Sequence, residues 1–273
     1  ARGRQVSRRE LREQIFKMLF RIEFHEGMEM EENITDFTVV DIETTGLDPK
    51  RDKITEIAAI RVENHSITGK FHTLVNPGRK LEERIVELTG IRDEDLKDAP
   101  HIQDVIGDFL DFESTGCLLG HSILFDYSFL KRASVNAGMQ FERNGIDTLM
   151  IARKYLADLE SRALPYLCRH FDIAHNPHRA MSDVEATYEL YKLLHQSFFK
   201  EEDDHRLFEP SPLIYQVKKE GPVTKHQIEQ LERFLSYHQI ESAYDIKEMT
   251  KNEASRYMDI LISQYGRIPA RHV

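Results

Sequence analysis

Two cysteines in 273 residues are too few for a disulfide framework. Cys117 and Cys168 both sit among apolar neighbours, which also argues against a thiolate metal site. This usage fits a reducing compartment. No apolar run approaches the roughly 20 residues that span a bilayer, and the arginine-rich start lacks the uninterrupted apolar core of a secretion signal. The expectation is therefore a cytoplasmic chain without a membrane partner. Positive charge is not in excess either. A net charge of −10 excludes a protein that coats nucleic acid through bulk basic charge. It leaves room for an enzyme that gathers carboxylates around divalent cations, which then supply the positive charge that a phosphate needs. Repeats and low-complexity tracts are also missing, and 40% hydrophobic with 31% charged residues is a globular balance.

The pattern divides the chain. Up to Arg21 there are seven Arg/Lys against two Glu, and Leu11, Ile15, Met18, Leu19 and Ile22 recur at helical spacing. Glu23, Glu26, Glu29, Glu31 and Glu32 follow, so residues 1–34 are predicted to form an amphipathic helix and an acidic connector. From Thr38 short β-rich runs take over, at Thr38–Ile42, Ile54–Val62 and Phe71–Val75, with links that suit an antiparallel meander. Helical patterns at Glu82–Leu88 and Ile102–Phe112 precede an apolar strand at Cys117–Gly120. A helix after Phe125, a short strand near Ile146 and helices to Phe199 complete the pattern. Hairpinned strands followed by strands alternating with helices predict an α/β domain with a mixed sheet over 35–200. The proline- and acid-bearing stretch 201–222 is predicted to be a linker, and 223–273 a small helical domain. Between Leu213 and Val273, nine Lys/Arg stand against eight Asp/Glu, so charge alone does not make that end a nucleic-acid binder.

Chemistry concentrates in three segments. In Thr38-Val39-Val40-Asp41-Ile42-Glu43-Thr44-Thr45-Gly46 two acids two residues apart leave the same face of a strand. Carboxylates so placed repel one another unless a cation joins them, and burying them has no structural return. Asp111-Phe112-Glu113, Asp158-Leu159-Glu160 and Asp183-Val184-Glu185 repeat the triplet without the β-branched approach and are expected on helix surfaces. In Gly120-His121-Ser122-Ile123-Leu124-Phe125-Asp126 a strand ends and a helix begins, and Asp126 in its first turn suits either a metal or the helix dipole. In His178-Arg179-Ala180-Met181-Ser182-Asp183, a spacing of five places His178 on the loop and Asp183 in the first turns of a helix. His121 precedes Asp126 by the same five, so spacing does not single out one histidine.

In this order and with these flanks, the segments resemble the three motifs of the DEDDh 3′→5′ exonucleases, a family that includes the proofreading epsilon subunit of bacterial DNA polymerase III and ribonuclease T. The resemblance runs from about Asp36 to Phe199, with Asp147-Thr148 and Leu164-x-x-Leu167 also in place. It implies a ribonuclease H-like fold, a five-stranded mixed sheet flanked by helices. It implies Asp41, Glu43, Asp126 and Asp183 as ligands of two divalent cations, Mg²⁺ or Mn²⁺, with zinc disfavoured for want of a Cys/His cluster. His178 is implied as the general base. Thr44, Thr45, Gly46, Leu47, His121, Ser122 and Phe125 are implied as contacts to a single-stranded 3′ end. Ser122 departs from the asparagine often found there.

The expected activity is hydrolysis of terminal phosphodiesters of DNA to nucleoside 5′-monophosphates. The alternative is a 3′→5′ exoribonuclease of the ribonuclease T or oligoribonuclease type, and a non-catalytic nucleic-acid or polymerase-binding module is a third reading. Ser7–Glu26 is similar to the first helix of the transcription antitermination factor NusB, a fragment too short to form that fold. The terminal helices are expected to be dispensable for hydrolysis and available to a protein partner.

Overall fold

The computed structural model describes residues 36–199 and 206–269. The helix predicted over 1–34 lies outside the described residues. Three strands open the described chain: β1 (Phe37–Thr44), β2 (Ile54–Glu63) and β3 (Ser66–Leu74). β2 and β3 start and end close to the predicted runs, except that β3 begins five residues early. Asn64 and His65 both take left-handed backbone, with φ of 48° and 61°, which makes a two-residue hairpin turn whose twist matches the strands. Gly69 is a strand residue facing the Phe112 ring.

Three helices follow, α1 (Glu83–Thr89), α2 (Asp93–Leu96) and α3 (Ile102–Phe112). Then come β4 (Cys117–Gly120), α4 (Ile123–Asn136), β5 (Asn144–Asp147), α5 (Thr148–Tyr155), α6 (Leu164–Phe171) and α7 (Ala180–Phe198). The sheet order is β3-β2-β1-β4-β5-β6. β1 runs antiparallel to β2 and parallel to β4, and β4 parallel to β5. The mixed α/β architecture is as expected, but among the described residues the sheet has six strands rather than five. The sixth, β6 (Ser211–Pro212), comes from the stretch predicted to be a linker and pairs antiparallel with β5 at the sheet edge, where a proline is tolerated. Leu213 and Tyr215 then pack against the core, so this part of the connector lies along the domain.

Helices cover both faces of the sheet, which is why β1 and β2 read as nearly continuous apolar runs. Val40, Ile42, Ile57, Ala59 and Leu118 face α3 and α4. Val39, Ala58, Ile60, Leu119 and Ile146 face α5, α6 and α7. Strand alternation therefore commits Asp41 and Glu43 to the same side as Val39, the side on which α7 packs.

Beyond β6, α8 (Lys225–His238), a short 3₁₀ turn (Ile246–Glu248) and α9 (Lys251–Tyr265) form the predicted helical appendage. Its core of Leu231, Phe234, Leu235, Met249, Ala254, Tyr257 and Leu261 is separate from the sheet cores. No helix among the described residues is long and apolar enough to cross a membrane.

Candidate active site

Three elements deliver four carboxylates to one end of the sheet. β1 contributes Asp41 and Glu43, both half-buried. α7 contributes Asp183 from its first turn, 7% exposed. Ligand oxygens of these three lie within 4.8 Å of one another. The fourth, Asp126, is 3% exposed in the first turn of α4. β1 and β4 pair only at Thr38–Leu118 and Val39–Leu119, so the backbone of β1 beyond Val39 is open on that side. The Ile42 N–H donates there to Asp126 Oδ1 at 3.1 Å. Asp126 is thus anchored to β1 as well as set near the helix N-terminus.

The cluster carries the electrostatic mark of like charges crowded together. Burial, then Asp126, Asp183, Glu43 and Glu56, hold the Asp41 carboxyl well above the usual carboxylate range. Burial, Asp183 and Glu56 push Glu43 up to about 8, with Arg179 partly offsetting them. Asp126 is raised by burial despite the Ile42 hydrogen bond. Hard oxygen donors at this spacing fit divalent cations of the Mg²⁺ or Mn²⁺ kind, whose charge would relieve the repulsion.

His178 sits half-buried on the loop before α7 with φ 63°, and its ring makes no hydrogen bond or ion pair among the described residues. His121 differs. Its Nδ1 meets the Thr148 hydroxyl at 2.9 Å and its Nε2 the Arg162 carbonyl at 2.8 Å, so both nitrogens are taken by the protein. Ser122 caps α4 in left-handed backbone, and its N–H donates to Asp147 at 2.9 Å. Phe125 is half-buried against Phe129, ring centroids 5.1 Å apart. After β1, the Thr44 hydroxyl donates to the Gly46 carbonyl at 2.6 Å. Leu47 stands 84% exposed at the tip of the turn.

Two partners of the cluster had no sequence signal. His175 hydrogen-bonds Asp183 Oδ1 through Nε2. Glu56, 1% exposed on β2, lies in register with Glu43. It accepts from His72 Nε2 at 2.6 Å and from the Ala180 N–H of α7 at 3.4 Å, with Arg179 at 3.9 Å. Only the strand pairing and the arrival of α7 reveal its place. All three acid triplets depart from the expected helix surface: Asp158 to Glu160 lie in a turn after α5, and Asp183 is buried in the cluster itself. Glu113 is 1% exposed and binds Arg143, because it ends α3 and turns inward to accept the Gly116 N–H.

A family model described as Exonuclease, of the RNase T type, matches residues 38–191. The chain belongs to this exonuclease family. It is 35% identical over 179 residues to the DNA polymerase III subunit epsilon of Aquifex aeolicus, covering 64% of this chain and 89% of that one. It is 39% identical over 158 residues to the PolC-type DNA polymerase III of Caldanaerobacter subterraneus subsp. tengcongensis. There the match takes in 57% of this chain but spans only 11% of the relative. Escherichia coli exonuclease I, in a zinc-bound complex with single-stranded DNA, superposes with a TM-score of 0.55 at 22% identity, over 65% of this chain and 42% of that one. A complex of the same enzyme with a dT13 oligonucleotide gives 0.52 at 21%, over 59% and 41%. These two show a shared fold.

Proposed function

We propose that the chain is a metal-dependent 3′→5′ exonuclease that releases nucleoside 5′-monophosphates from single-stranded DNA ends, in a cytoplasmic setting. The observation that carries this reading is the convergence of Asp41, Glu43 and Asp183 on one point, with Asp126 beside them. DNA is favoured over RNA because the chain is similar to DNA polymerase III chains.

Asp41, Glu43 and Asp183 would hold two divalent cations, Mg²⁺ or Mn²⁺, with Asp126 completing the site. When bound, the cations supply the positive charge that favours deprotonation of the attacking water and steadies the leaving 3′-oxygen. His178 accepts the water's proton, since His121 has both nitrogens engaged. Thr44, Thr45, Gly46 and Leu47 receive the terminal nucleotide, with Ser122 and Phe125 on the facing helix start. His121 serves that face by holding the end of β4 to α5. His175 and Glu56 orient Asp183 and the start of α7.

The reading is tested with 3′- and 5′-labelled DNA and RNA strands and Mg²⁺, Mn²⁺ or chelator. Stepwise loss from 3′ ends of DNA is expected, abolished by chelator and reduced by several orders of magnitude in Asp41→Ala and Asp183→Ala. Near-wild-type cleavage by a folded Asp41→Ala protein would refute the site. His178→Ala should lose most activity while still binding Mn²⁺ in a calorimetric titration. An inactive His121→Ala beside an active His178→Ala would reassign the base.

A further inference from the structure

The helical unit after Gly221 lies outside the segment that the exonuclease family matches, and its apolar core is its own. What joins it to the catalytic sheet is mostly polar, and much of that seam falls on two loops. On the first, the Asp245 N–H donates to the Gly78 carbonyl at 2.6 Å, and Tyr244 forms a β-bridge with Arg79. On the second, the turn between β1 and β2, Glu253 Oε1 pairs with Lys53 Nζ at 2.6 Å, the side chains 13% and 30% exposed. Arg256 adds a bond to the Lys50 carbonyl at 3.2 Å. Glu253 is itself fixed, because its other oxygen accepts the Thr250 N–H at 2.8 Å and caps α9.

Both routes end on Thr45. The Thr45 N–H donates to the Lys53 carbonyl at 2.9 Å, and the Lys53 N–H to the Thr45 hydroxyl at 3.0 Å. Arg79 binds the Thr45 hydroxyl and, at 2.9 Å, Asp52. Asp52 closes the turn by accepting the Asp48 N–H at 2.9 Å, and it packs so near Gly46 that any Cβ there would collide with its carboxylate. Thr45 lies two residues after Glu43 on the same backbone. The shape of the turn after the ligand strand is therefore tied to a unit whose helices start 172 residues or more along the chain (225 − 53 = 172).

We propose that the C-terminal helical unit is a built-in brace for the Thr44–Leu47 turn, and that Lys53, Arg79 and Glu253 are positioning residues that set how the substrate end is received. The inference rests on the exonuclease reading for the identity of what the turn receives. The brace itself does not depend on it. Because the links reach the turn and not the carboxylates, loosening them affects substrate binding more than the chemical step.

The test uses the full chain with Lys53→Met, Lys53→Arg, Glu253→Gln and the Lys53→Met/Glu253→Gln double variant. Glu253→Gln keeps an oxygen to cap α9 and removes the charge that holds Lys53. Hydrogen exchange of residues 45–53 is measured without metal or substrate, and KM and kcat are measured on a single-stranded oligodeoxynucleotide with Mn²⁺. Lys53→Met and Glu253→Gln should speed exchange in the turn and raise KM about threefold to fivefold with kcat nearly unchanged. The double variant should be no worse than either single one, and Lys53→Arg should stay close to wild type. Should Glu253→Gln fold poorly, Lys53→Met alone decides. Wild-type exchange of the turn in Lys53→Met overturns the brace. Faster exchange with KM unmoved, or a fall in kcat alone, overturns the positioning role. Failure of the exonuclease reading is separately visible, as a wild-type chain that binds Mn²⁺ and releases no nucleotide.

Discussion

Carboxylates held together without a cation oppose folding, and in this chain the opposition has a pH signature. Glu43 titrates near 8 in the folded protein against an ordinary value of 4.5, through burial and the charges of Asp183 and Glu56. Between these values the folded state holds more protons than the unfolded one, so the metal-free stability it contributes is full at low pH and falls as pH rises toward 8. Asp41 and Asp126 are raised in the same direction. The melting temperature of chelator-treated protein should therefore drop from pH 7 to pH 8.5, and Mn²⁺ should close much of that drop. A rise over that interval without metal would contradict the cluster as described. By the same linkage, Mn²⁺ binding at pH 7 should release protons, read as a calorimetric enthalpy that changes with buffer ionisation heat.

At the scale of elements, α7 connects packing with chemistry. Val184, Thr187, Leu190 and Leu194 recur at helical spacing and are buried against the sheet, and that seating holds Asp183 opposite Asp41. Leu190→Ala should cost about 2–5 kcal/mol by chemical denaturation. Turnover per folded molecule should be unchanged, since the first turn is independently pinned by Glu56 and His175. At the other end His195 stacks on Phe199, centroids 4.6 Å apart, and meets Phe208 edge-on. Burial, then His65, lowers it to about 4. The folded state keeps it neutral where the unfolded chain protonates it, so stability is lost as pH falls from 6.5 toward 4. His195→Phe should flatten that acid limb of a melting-temperature profile.

At the largest scale, three cores share the work among the described residues. Two lie on the faces of the sheet, and the third belongs to the C-terminal unit. The route between them is structural, because β6, Leu213 and Tyr215 lie against the domain and Glu220 pairs with Arg132 at 3.1 Å. A chain ending at Phe199 should still fold and keep its kcat, since the four carboxylates and His178 all precede that point. It should melt lower, by loss of the cover on the β5 edge, and bind substrate more weakly. Thermal melting and steady-state kinetics against the full chain check both. A truncated protein that melts like the full chain would mean that the added segment stabilises nothing.

What the sequence by itself determined is what short-range periodicity encodes. Alternation in β1 put Asp41 and Glu43 on one face, helical spacing placed Asp183 in a first turn, and the order of strands and helices specified a mixed sheet. These follow from bond geometry within a few residues. The tertiary structure alone decided which separated groups meet. Glu56 reaches the site through strand register and His175 through the fold of the loop before α7. His121 is occupied by Thr148 and Arg162, and Glu113 turns inward to Arg143. Ser211 and Pro212 became a strand although two residues are too few to show a period. The brace joins Lys53 to Glu253 across 200 residues (253 − 53 = 200). Such contacts depend on where whole elements pack, and no local pattern records that placement.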